Sequence, residues 1–313
     1  MNVLDAAALA PAPDGGPPLT IDPELLDRIT WATVLGPIRL LDERLLLRCE
    51  DAELGRFLEA FVAAFPSAEA ARTRLDVVSV RGYWAAYEDG ARTVSAPSTT
   101  AMARSLVWQL NRLALAAPTQ DVLVHAAVAS LGARAVVMPG RSGAGKTTLV
   151  TALVLAGWRY LSDEVAALGP GGAEVRPYPR PLALEAGSWS LVPEAADRWP
   201  AGVPAMVSDL RLVLPASLGI PCEPTAATPA AIVFPEVVAG ATARLEPVAR
   251  AEALERLLPL TFNLNALGQA GFERLEGCVR RATCHRLVLD GLAGVPALVA
   301  TLVETGGFDR LCR

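Results

Sequence analysis

The stretch Val136-Val-Met-Pro-Gly140-Arg-Ser-Gly-Ala-Gly145-Lys146-Thr147-Thr148 decides the fold of this chain. It follows the pattern G-x-x-x-x-G-K-[ST], in which a glycine-rich loop joins a strand to a helix. The context that the pattern requires is present on both sides. Ala135–Met138 is predicted to be a short buried strand, and Thr148–Ala156 is predicted to be a helix that ends at Gly157. The alternative is a glycine-rich turn that binds nothing.

The residue types of this loop suit a phosphate group. Glycines let the backbone curl until successive N–H groups point inward, and the helix that follows directs the positive end of its dipole at the same point. In such a loop Lys146 reaches the β- and γ-phosphates, and the Thr147 hydroxyl lies on Mg²⁺. The predicted phosphate-binding residues are Gly140, Arg141, Ser142, Gly143, Ala144, Gly145, Lys146, Thr147 and Thr148.

Size and composition bound the class of protein. The 313 residues allow two modest domains or one large one. Hydrophobic residues make up 52% of the chain, but no uninterrupted apolar run reaches the roughly 20 residues that cross a bilayer. The first residues lack a basic region followed by a long apolar run, so no export signal is predicted. We therefore expect a soluble, cytoplasmic protein without a membrane partner.

Charge and cysteine usage argue against two further classes of protein, namely proteins that bind nucleic acid and proteins held together by disulfides or zinc. The formal net charge of −5 argues against a nucleic-acid partner, because proteins that bind nucleic acid usually display a basic surface. The five cysteines are scattered and contain no C-x-x-C pair, so neither a disulfide framework nor a zinc site is predicted. Cys278, Cys284 and His285 lack a fourth ligand and the usual spacing. Arg280 and Arg281 are expected on a solvated helix face.

The chain is predicted to have three segments. Residues 1–20 are expected to be a flexible leader, since a stretch rich in alanine, proline and glycine buries too little apolar surface to order itself. Residues 21–117 are expected to form a small α+β lobe, and residues 118–313 a phosphate-loop domain. The elements predicted for the lobe are the strands Leu45–Cys49 and Leu75–Val80, a helix from Asp51 to Phe65, and an amphipathic helix from Ser98 to Ala116.

The third segment is predicted to alternate strands and helices around the loop. Two paired strands, Val122–Ala129 and Ala133–Met138, lead into it, and one strand, Tyr160–Leu168, follows its helix. The later predicted elements are a strand at Ala231–Pro235, helices at Arg250–Leu258 and Asn265–Arg281, a strand at Cys284–Leu289 and a helix at Gly294–Thr305. Phe262 and Phe272 are expected to pack in the core of a largely helical stretch.

Two acids, Asp163 and Glu164, are predicted to lie on the strand that follows the loop's helix, close to Lys146. A carboxylate there can hold Mg²⁺ through water, or it can accept the proton of an attacking hydroxyl beside the γ-phosphate. Thr147, Asp163 and Glu164 are the predicted metal-binding residues. The alternative is a turn at the end of a strand whose acids are solvated.

His125 lies within an apolar predicted strand that should neighbour the loop. It is either a hydrogen-bonded core residue or a residue that orients Glu164 or Asp163 and tunes their proton affinity. Both interpretations stay open.

Several runs of residues resemble one family. The runs Val124–Val128, Gly140–Thr148 and Gly157–Glu164 resemble the kinase domain of HPr kinase/phosphorylase, which phosphorylates a serine of a carrier protein. The later pieces Pro179–Leu184, Val233–Pro235 and Thr261–Phe272 are more similar to the smaller HPr-kinase-related serine kinases. The resemblance covers roughly residues 117–303.

This resemblance implies an α/β fold with a phosphate-loop kinase core of the HPr kinase / phosphoenolpyruvate carboxykinase type. It makes Asp163 the base that takes the proton from the acceptor hydroxyl, with Glu164 paired with His125 or Mg²⁺. With Lys146, these residues form the predicted catalytic set. The resemblance also implies ATP and Mg²⁺ as cofactors, a protein or peptide as the acceptor, and a small peptide-binding protein as a candidate partner. At Glu164 the chain departs from the family, which usually has a second aspartate there.

The sequence therefore predicts an ATP-dependent kinase that transfers the γ-phosphoryl group to a serine-type hydroxyl. Arg180 is a candidate for a charge clamp or for acceptor binding, and the alternative is an exposed arginine in a turn between prolines. Two other functions stay open. One is a kinase of the same fold that acts on an amino acid or a sugar, and the other is a nucleotide-binding regulator that turns over ATP slowly or not at all.

Overall fold

A computed structural model describes the chain over residues 20–80, 82–196, 198, 210–219 and 225–305. Residues 1–19 of the predicted leader lie outside the described residues. The Cα positions divide the chain into two compact units. One unit comprises residues 1–118 and 199–212, and the other comprises residues 119–198 and 213–313.

The first unit contains a mixed sheet and two longer helices. Its described elements are α1 (Pro23–Leu26), β1 (Thr33–Leu40), β2 (Glu43–Cys49), α2 (Ala52–Val62), β3 (Thr73–Val80), β4 (Tyr83–Glu88), β5 (Ala91–Ala96) and α3 (Thr99–Ala116). The strand order is β1-β2-β3-β4-β5, and β2 and β3 are parallel while the other pairs are antiparallel. The strands β1, β4 and β5 were not predicted from the sequence.

The predicted starts of both longer helices are confirmed by their caps. The Asp51 carboxylate accepts the backbone N–H of Leu54 at the start of α2, and the Ser98 hydroxyl accepts the N–H of Ala101 at the start of α3. Helix α2 ends at Val62, one turn before the predicted end. The predicted apolar face of α3 is buried; it consists of Met102, Leu106, Leu110 and Leu113.

The second unit is built on a larger mixed sheet. Its described elements are β6 (Val122–Leu131), β7 (Arg134–Pro139), α4 (Lys146–Leu155), β8 (Arg159–Ser162), β9 (Val165–Leu168), β10 (Val175–Arg176), β11 (Leu182–Glu185), α5 (Pro193–Ala196), β13 (Thr228–Val237), β14 (Arg244–Pro247), α6 (Arg250–Leu257), α7 (Leu264–Arg281), β15 (Thr283–Leu289) and α8 (Val295–Thr305). The remaining strand, β12 (Leu210–Val213), belongs to the first unit except for its last residue. Eight described strands form the sheet, in the order β10-β9-β6-β7-β13-β15-β14, with β8 also paired to β6.

Parallel strands form the centre of this sheet. β7, β13 and β15 run parallel to one another, so their carboxyl ends meet at one edge. β6 runs antiparallel to β7 and brings its first residues to the same edge. Ligands of open α/β sheets bind beyond the carboxyl ends of such strands. The loop that follows β7 lies at this edge.

Helices cover both faces of the sheet. Alternate residues of β6 and β7 point to opposite faces, as the two-residue period of a strand requires. On one face they pack against α4 and α8, and on the other against α6 and α7. The second unit is therefore a layered α/β structure with apolar cores on both sides of the sheet, and the chain as a whole is a mixed α/β protein.

The predicted strand Tyr160–Leu168 is wrong in one respect. The structure divides it into β8 and β9, and Asp163 and Glu164 form the turn between them. The Ser162 hydroxyl accepts the backbone N–H groups of Glu164 and Val165, at 3.1 and 3.0 Å. A serine that bonds the backbone two residues ahead favours a turn over a continuous strand.

No helix among the described residues is long and apolar enough to cross a membrane.

Candidate functional site

Strand β6 lies between the two parts of the site, the glycine loop and the turn that carries the acids. Its register with β7 sets Ala126 opposite Pro139, the last residue before the loop. Its register with β9 sets His125 opposite Val165, the first residue after the two acids. The loop and the Asp163–Glu164 turn therefore lie on either side of β6, at the same end of the sheet.

The loop has the backbone of a phosphate cradle. Gly143 and Gly145 adopt the left-handed conformation, with φ of 79° and 80°, which side chains rarely tolerate. Helix α4 starts directly after Gly145, and no described side chain caps its first N–H groups. Those groups are the usual partners of an anion at a helix N-terminus. Because Arg141 and Ser142 are exposed, the loop is open to solvent.

Lys146, the only lysine of the chain, points into the loop. Its Nζ donates to the backbone oxygens of Gly140 and Arg141, at 2.9 and 3.0 Å. Burial lowers the pKa of the Lys146 ammonium to about 8, although the charges of Glu164 and Asp163 oppose the shift.

The two threonines of the motif point in different directions. The Thr147 hydroxyl faces the acids and donates to Asp163 Oδ2 at 3.5 Å. The buried Thr148 hydroxyl instead contacts Ser188 Oγ at 2.6 Å. Of the two side chains, Thr147 is thus the one placed beside the predicted metal-binding acids.

Asp163 is buried and fully engaged by protein groups. Its side chain has no exposed surface. Oδ1 accepts from Arg180 Nε at 2.8 Å and from the Tyr160 hydroxyl at 3.1 Å. Oδ2 accepts from the Ala183 N–H at 3.3 Å and is 3.5 Å from both the Thr147 hydroxyl and a second Arg180 nitrogen. The alternative of a solvated acid is therefore wrong for Asp163.

Arg180 joins the two acids. Its second terminal nitrogen lies 2.9 Å from Glu164 Oε2, while its Nε is bonded to Asp163. Burial by itself lowers the pKa of the guanidinium, but the charges of Asp163 and Glu164 outweigh it, so the pKa is raised above its ordinary value. Arg180 is 7% exposed, and the alternative of an exposed turn arginine is therefore wrong.

His125 lies beside Glu164 and the loop. Its Nε2 is 3.9 Å from Glu164 Oε1, too long for a hydrogen bond, and its backbone oxygen accepts the N–H of Gly140. Burial, together with the positive charges of Lys146 and Arg180, lowers the pKa of the imidazole to about 4. The ring is therefore neutral near pH 7 and lies beside Glu164 without a hydrogen bond to it, so both interpretations of His125 stay open.

Three residues of the site were not identified from the sequence. Tyr160 joins Asp163 to the backbone oxygen of Arg180, at 3.1 and 3.0 Å. Ser162 shapes the acid turn, and a serine immediately before the acids is a signal that could have indicated it. Asn263 holds the start of β6, since its amide bonds Leu123 N–H and the Asp121 oxygen at 3.0 and 2.9 Å.

The two aromatic residues predicted for the core differ in placement. The ring of Phe262 is partly buried and lies 5.7 Å from the ring of His125. Phe272 is 43% exposed on α7, so its prediction as a core residue is wrong. The helical period allowed either face, and α7 turns this position away from the sheet. Arg280 and Arg281 are exposed, as predicted.

The oxygens around the acid turn fit Mg²⁺ that arrives with phosphates. Mg²⁺ in proteins is usually held by one or two carboxylates together with waters and substrate phosphates. Thr147 and Asp163 offer such oxygens 3.5 Å apart, and Glu164 offers a second carboxylate nearby. Within the described ranges, no three His, Cys, Asp or Glu side chains group into a metal site by themselves. An Mg²⁺ ion at this turn would therefore need waters and phosphate oxygens to complete its coordination shell.

No model of a protein family matches this chain, and no curated protein does either.

Proposed function

We propose that this chain is an ATP-dependent kinase that transfers the γ-phosphoryl group to a serine-type hydroxyl of a protein or peptide. The observation that supports it best is the meeting of a glycine-rich loop and an acid turn at one sheet edge, with Thr147 Oγ1 3.5 Å from Asp163 Oδ2. The protein or peptide class of the acceptor rests on the resemblance of the loop, acid and His125 runs to HPr kinase.

The work of the protein in this proposal is binding and positioning. The N–H groups of Gly145 and of the first turn of α4 hold the phosphates. Lys146 gives up its hydrogen bonds to the backbone oxygens of Gly140 and Arg141 and donates to the phosphates instead. Thr147 and Asp163 orient the metal. When bound, Mg²⁺-ATP supplies the phosphoryl group and neutralises the charge that spreads over it during transfer. One of the acids Asp163 and Glu164 takes the proton of the acceptor hydroxyl.

A regulator that binds nucleotide without phosphorylating an acceptor is the second candidate. The observation that favours it is the complete engagement of Asp163, whose two oxygens bond Arg180, Tyr160 and the Ala183 N–H. A carboxylate whose two oxygens already accept from protein donors has little room for a further hydrogen bond from an acceptor hydroxyl.

The test is a transfer assay with γ-labelled ATP, Mg²⁺ and extract of the cells that make the protein. We expect label on one protein or peptide with the wild type and none with Lys146→Ala. Arg280→Ala, which alters an exposed ion pair with Glu276, is the matched control and should transfer label normally. Label confined to a small metabolite would assign the acceptor to that class. Nucleotide binding with no transfer to anything would contradict the kinase and favour the regulator.

A further inference from the structure

The two acids of the turn differ in access, although they are neighbours in sequence. The Asp163 side chain is fully enclosed, whereas 14% of the Glu164 side chain is exposed. A group that removes a proton from an incoming hydroxyl must come within hydrogen-bond distance of it. Of the two acids, only Glu164 has side-chain surface that an acceptor approaching from solvent can contact.

The two acids also differ in how completely protein groups engage them. Both oxygens of Asp163 receive hydrogen bonds, from Arg180 and Tyr160 on one oxygen and from Ala183 on the other. To accept a proton, Asp163 would have to give up part of this set and leave the Arg180 charge without its closest partner. Removing one member of a buried ion pair is strongly unfavourable.

Glu164 has one oxygen held and one oxygen available. Oε2 lies 2.9 Å from a terminal nitrogen of Arg180, which fixes the carboxylate in place. Oε1 points toward His125, whose Nε2 is 3.9 Å away, beyond hydrogen-bond distance. The Glu164 backbone is fixed as well, because its N–H is bonded to the Ser162 hydroxyl and its oxygen accepts from Ala126.

We propose that Glu164 is the catalytic base of this site and that Asp163 is a positioning residue which orients Thr147 and the metal. This assignment rests on the kinase function proposed above, and it replaces the sequence-based assignment of the base to Asp163. Arg180 accounts for the difference between the base and the positioning residue. It bonds Asp163 through Nε and contacts only Oε2 of Glu164, so Oε1 of Glu164 stays available to the acceptor.

In this step the acceptor hydroxyl gives its proton to Glu164 as its oxygen binds phosphorus. The acceptor oxygen forms its bond to the terminal phosphorus while its proton moves to Oε1 of Glu164. The bond between that phosphorus and the bridging oxygen breaks, and its electron pair leaves on the nucleoside diphosphate. Glu164 ends the step as a neutral carboxylic acid and then releases the proton to water. Arg180 stays on Oε2 throughout, and Asp163 remains ionised.

The experiment compares Glu164→Gln and Asp163→Asn in the full chain. The matched control is Glu174→Gln, which changes an exposed glutamate of the same unit. Three quantities are measured: total transfer of γ-label from ATP to water and to cell extract, binding of a fluorescent ATP analogue with and without Mg²⁺, and thermal unfolding.

For Glu164→Gln, whose amide oxygen can still accept from Arg180, we expect the variant to bind the ATP analogue in the absence of Mg²⁺ as the wild type does, with transfer reduced by about 100-fold or more, as for the loss of a general base. For Asp163→Asn we expect weaker Mg²⁺-dependent binding and a lower unfolding temperature. Transfer that survives in Glu164→Gln, or that is lost in Asp163→Asn with binding and unfolding unchanged, would overturn the assignment and leave the kinase standing. A wild-type protein that transfers no label would overturn the kinase itself, and the assignment of the base with it.

Discussion

The guanidinium of Arg180 lies 2.8 Å from the carboxylate of Asp163, and both side chains are buried. The two residues are 17 positions apart in the sequence, and the Asp163 carboxylate also lies 3.5 Å from the Thr147 hydroxyl at the end of the glycine loop. Arg180 also reaches Glu164, so one cation holds both acids of the turn. Its placement fixes the geometry of the site before any ligand binds.

Replacing Arg180 should destabilise the protein strongly. Arg180→Met leaves the buried Asp163 carboxylate without its charge partner, and breaking a buried pair on one side costs about 3–5 kcal/mol. Arg280→Met breaks an exposed pair with Glu276 and should cost at most about 1 kcal/mol. Urea unfolding of both variants gives the two free energies. Equal losses of stability would contradict the dependence of the buried Asp163 carboxylate on the Arg180 charge.

His125 should make the ligand-free protein less stable in acid. Its folded pKa of about 4 lies below its ordinary value of 6.5, so between these pH values the unfolded chain binds a proton that the folded chain excludes. The free energy of unfolding therefore falls as the pH drops through this window, by about 3 kcal/mol from this residue. The groups that face the imidazole are Lys146, Arg180, Asp163 and Glu164.

The variant His125→Gln isolates this contribution, because it keeps a polar side chain that does not titrate. Urea unfolding at several pH values across the window, in metal-free buffer, should give a wild-type stability that falls more steeply than that of the variant. Parallel curves would contradict the low pKa of His125.

Lys146 should be the single lysine that a reactive ATP derivative modifies. Since it is the only lysine of the chain, an acyl phosphate of ATP can acylate only this side chain and the terminal amine. Its pKa of about 8 leaves a substantial uncharged fraction at mildly basic pH, and the uncharged amine is the nucleophile. Mass spectrometry should find the acyl group on the peptide that contains Lys146, and excess ATP should suppress it. Labelling that ATP does not slow would argue against a nucleotide in this loop.

Two neighbouring glycines should differ in their tolerance of alanine. Gly171 and Gly172 have nearly the same left-handed φ, 61° and 64°, so the conformational cost is shared. A Cβ on Gly172 would overlap the backbone of Arg274 and Cys278 on α7, whereas one on Gly171 meets no described atom within 4 Å. Gly172→Ala should therefore be less stable than Gly171→Ala by about 1–3 kcal/mol, the usual cost of overpacking. Equal stabilities would show that α7 moves away at no cost.

The elements around the loop were predictable because their signals are local. β7, the glycine loop and α4 follow from one continuous stretch, in which apolar residues, glycines and threonines occur in the order that strand, turn and helix need. The caps Asp51 and Ser98 were predictable for the same reason, since each bonds a backbone group three residues ahead.

The contacts that complete the site were not predictable, because they join residues distant in sequence. Nothing in the chain near Arg180 indicates that it turns inward to meet Asp163. The hydrogen bond between Asn263 and Leu123 of β6 joins residues about 140 positions apart, and it depends on the packing of α7 against the sheet. Nothing in the sequence distinguishes Tyr160 from other strand residues. Its hydroxyl meets Asp163 only because the strand breaks after Ser162.

The most direct test of the central claim is a calorimetric titration of the full chain with ATP, in Mg²⁺ and in EDTA. We predict one site per chain that binds more tightly with Mg²⁺, and its loss in Lys146→Ala while the unfolding temperature of that variant stays close to that of the wild type. Binding that is the same in wild type and Lys146→Ala, or no binding at all, would contradict a nucleotide site built on the loop from Gly140 to Thr148.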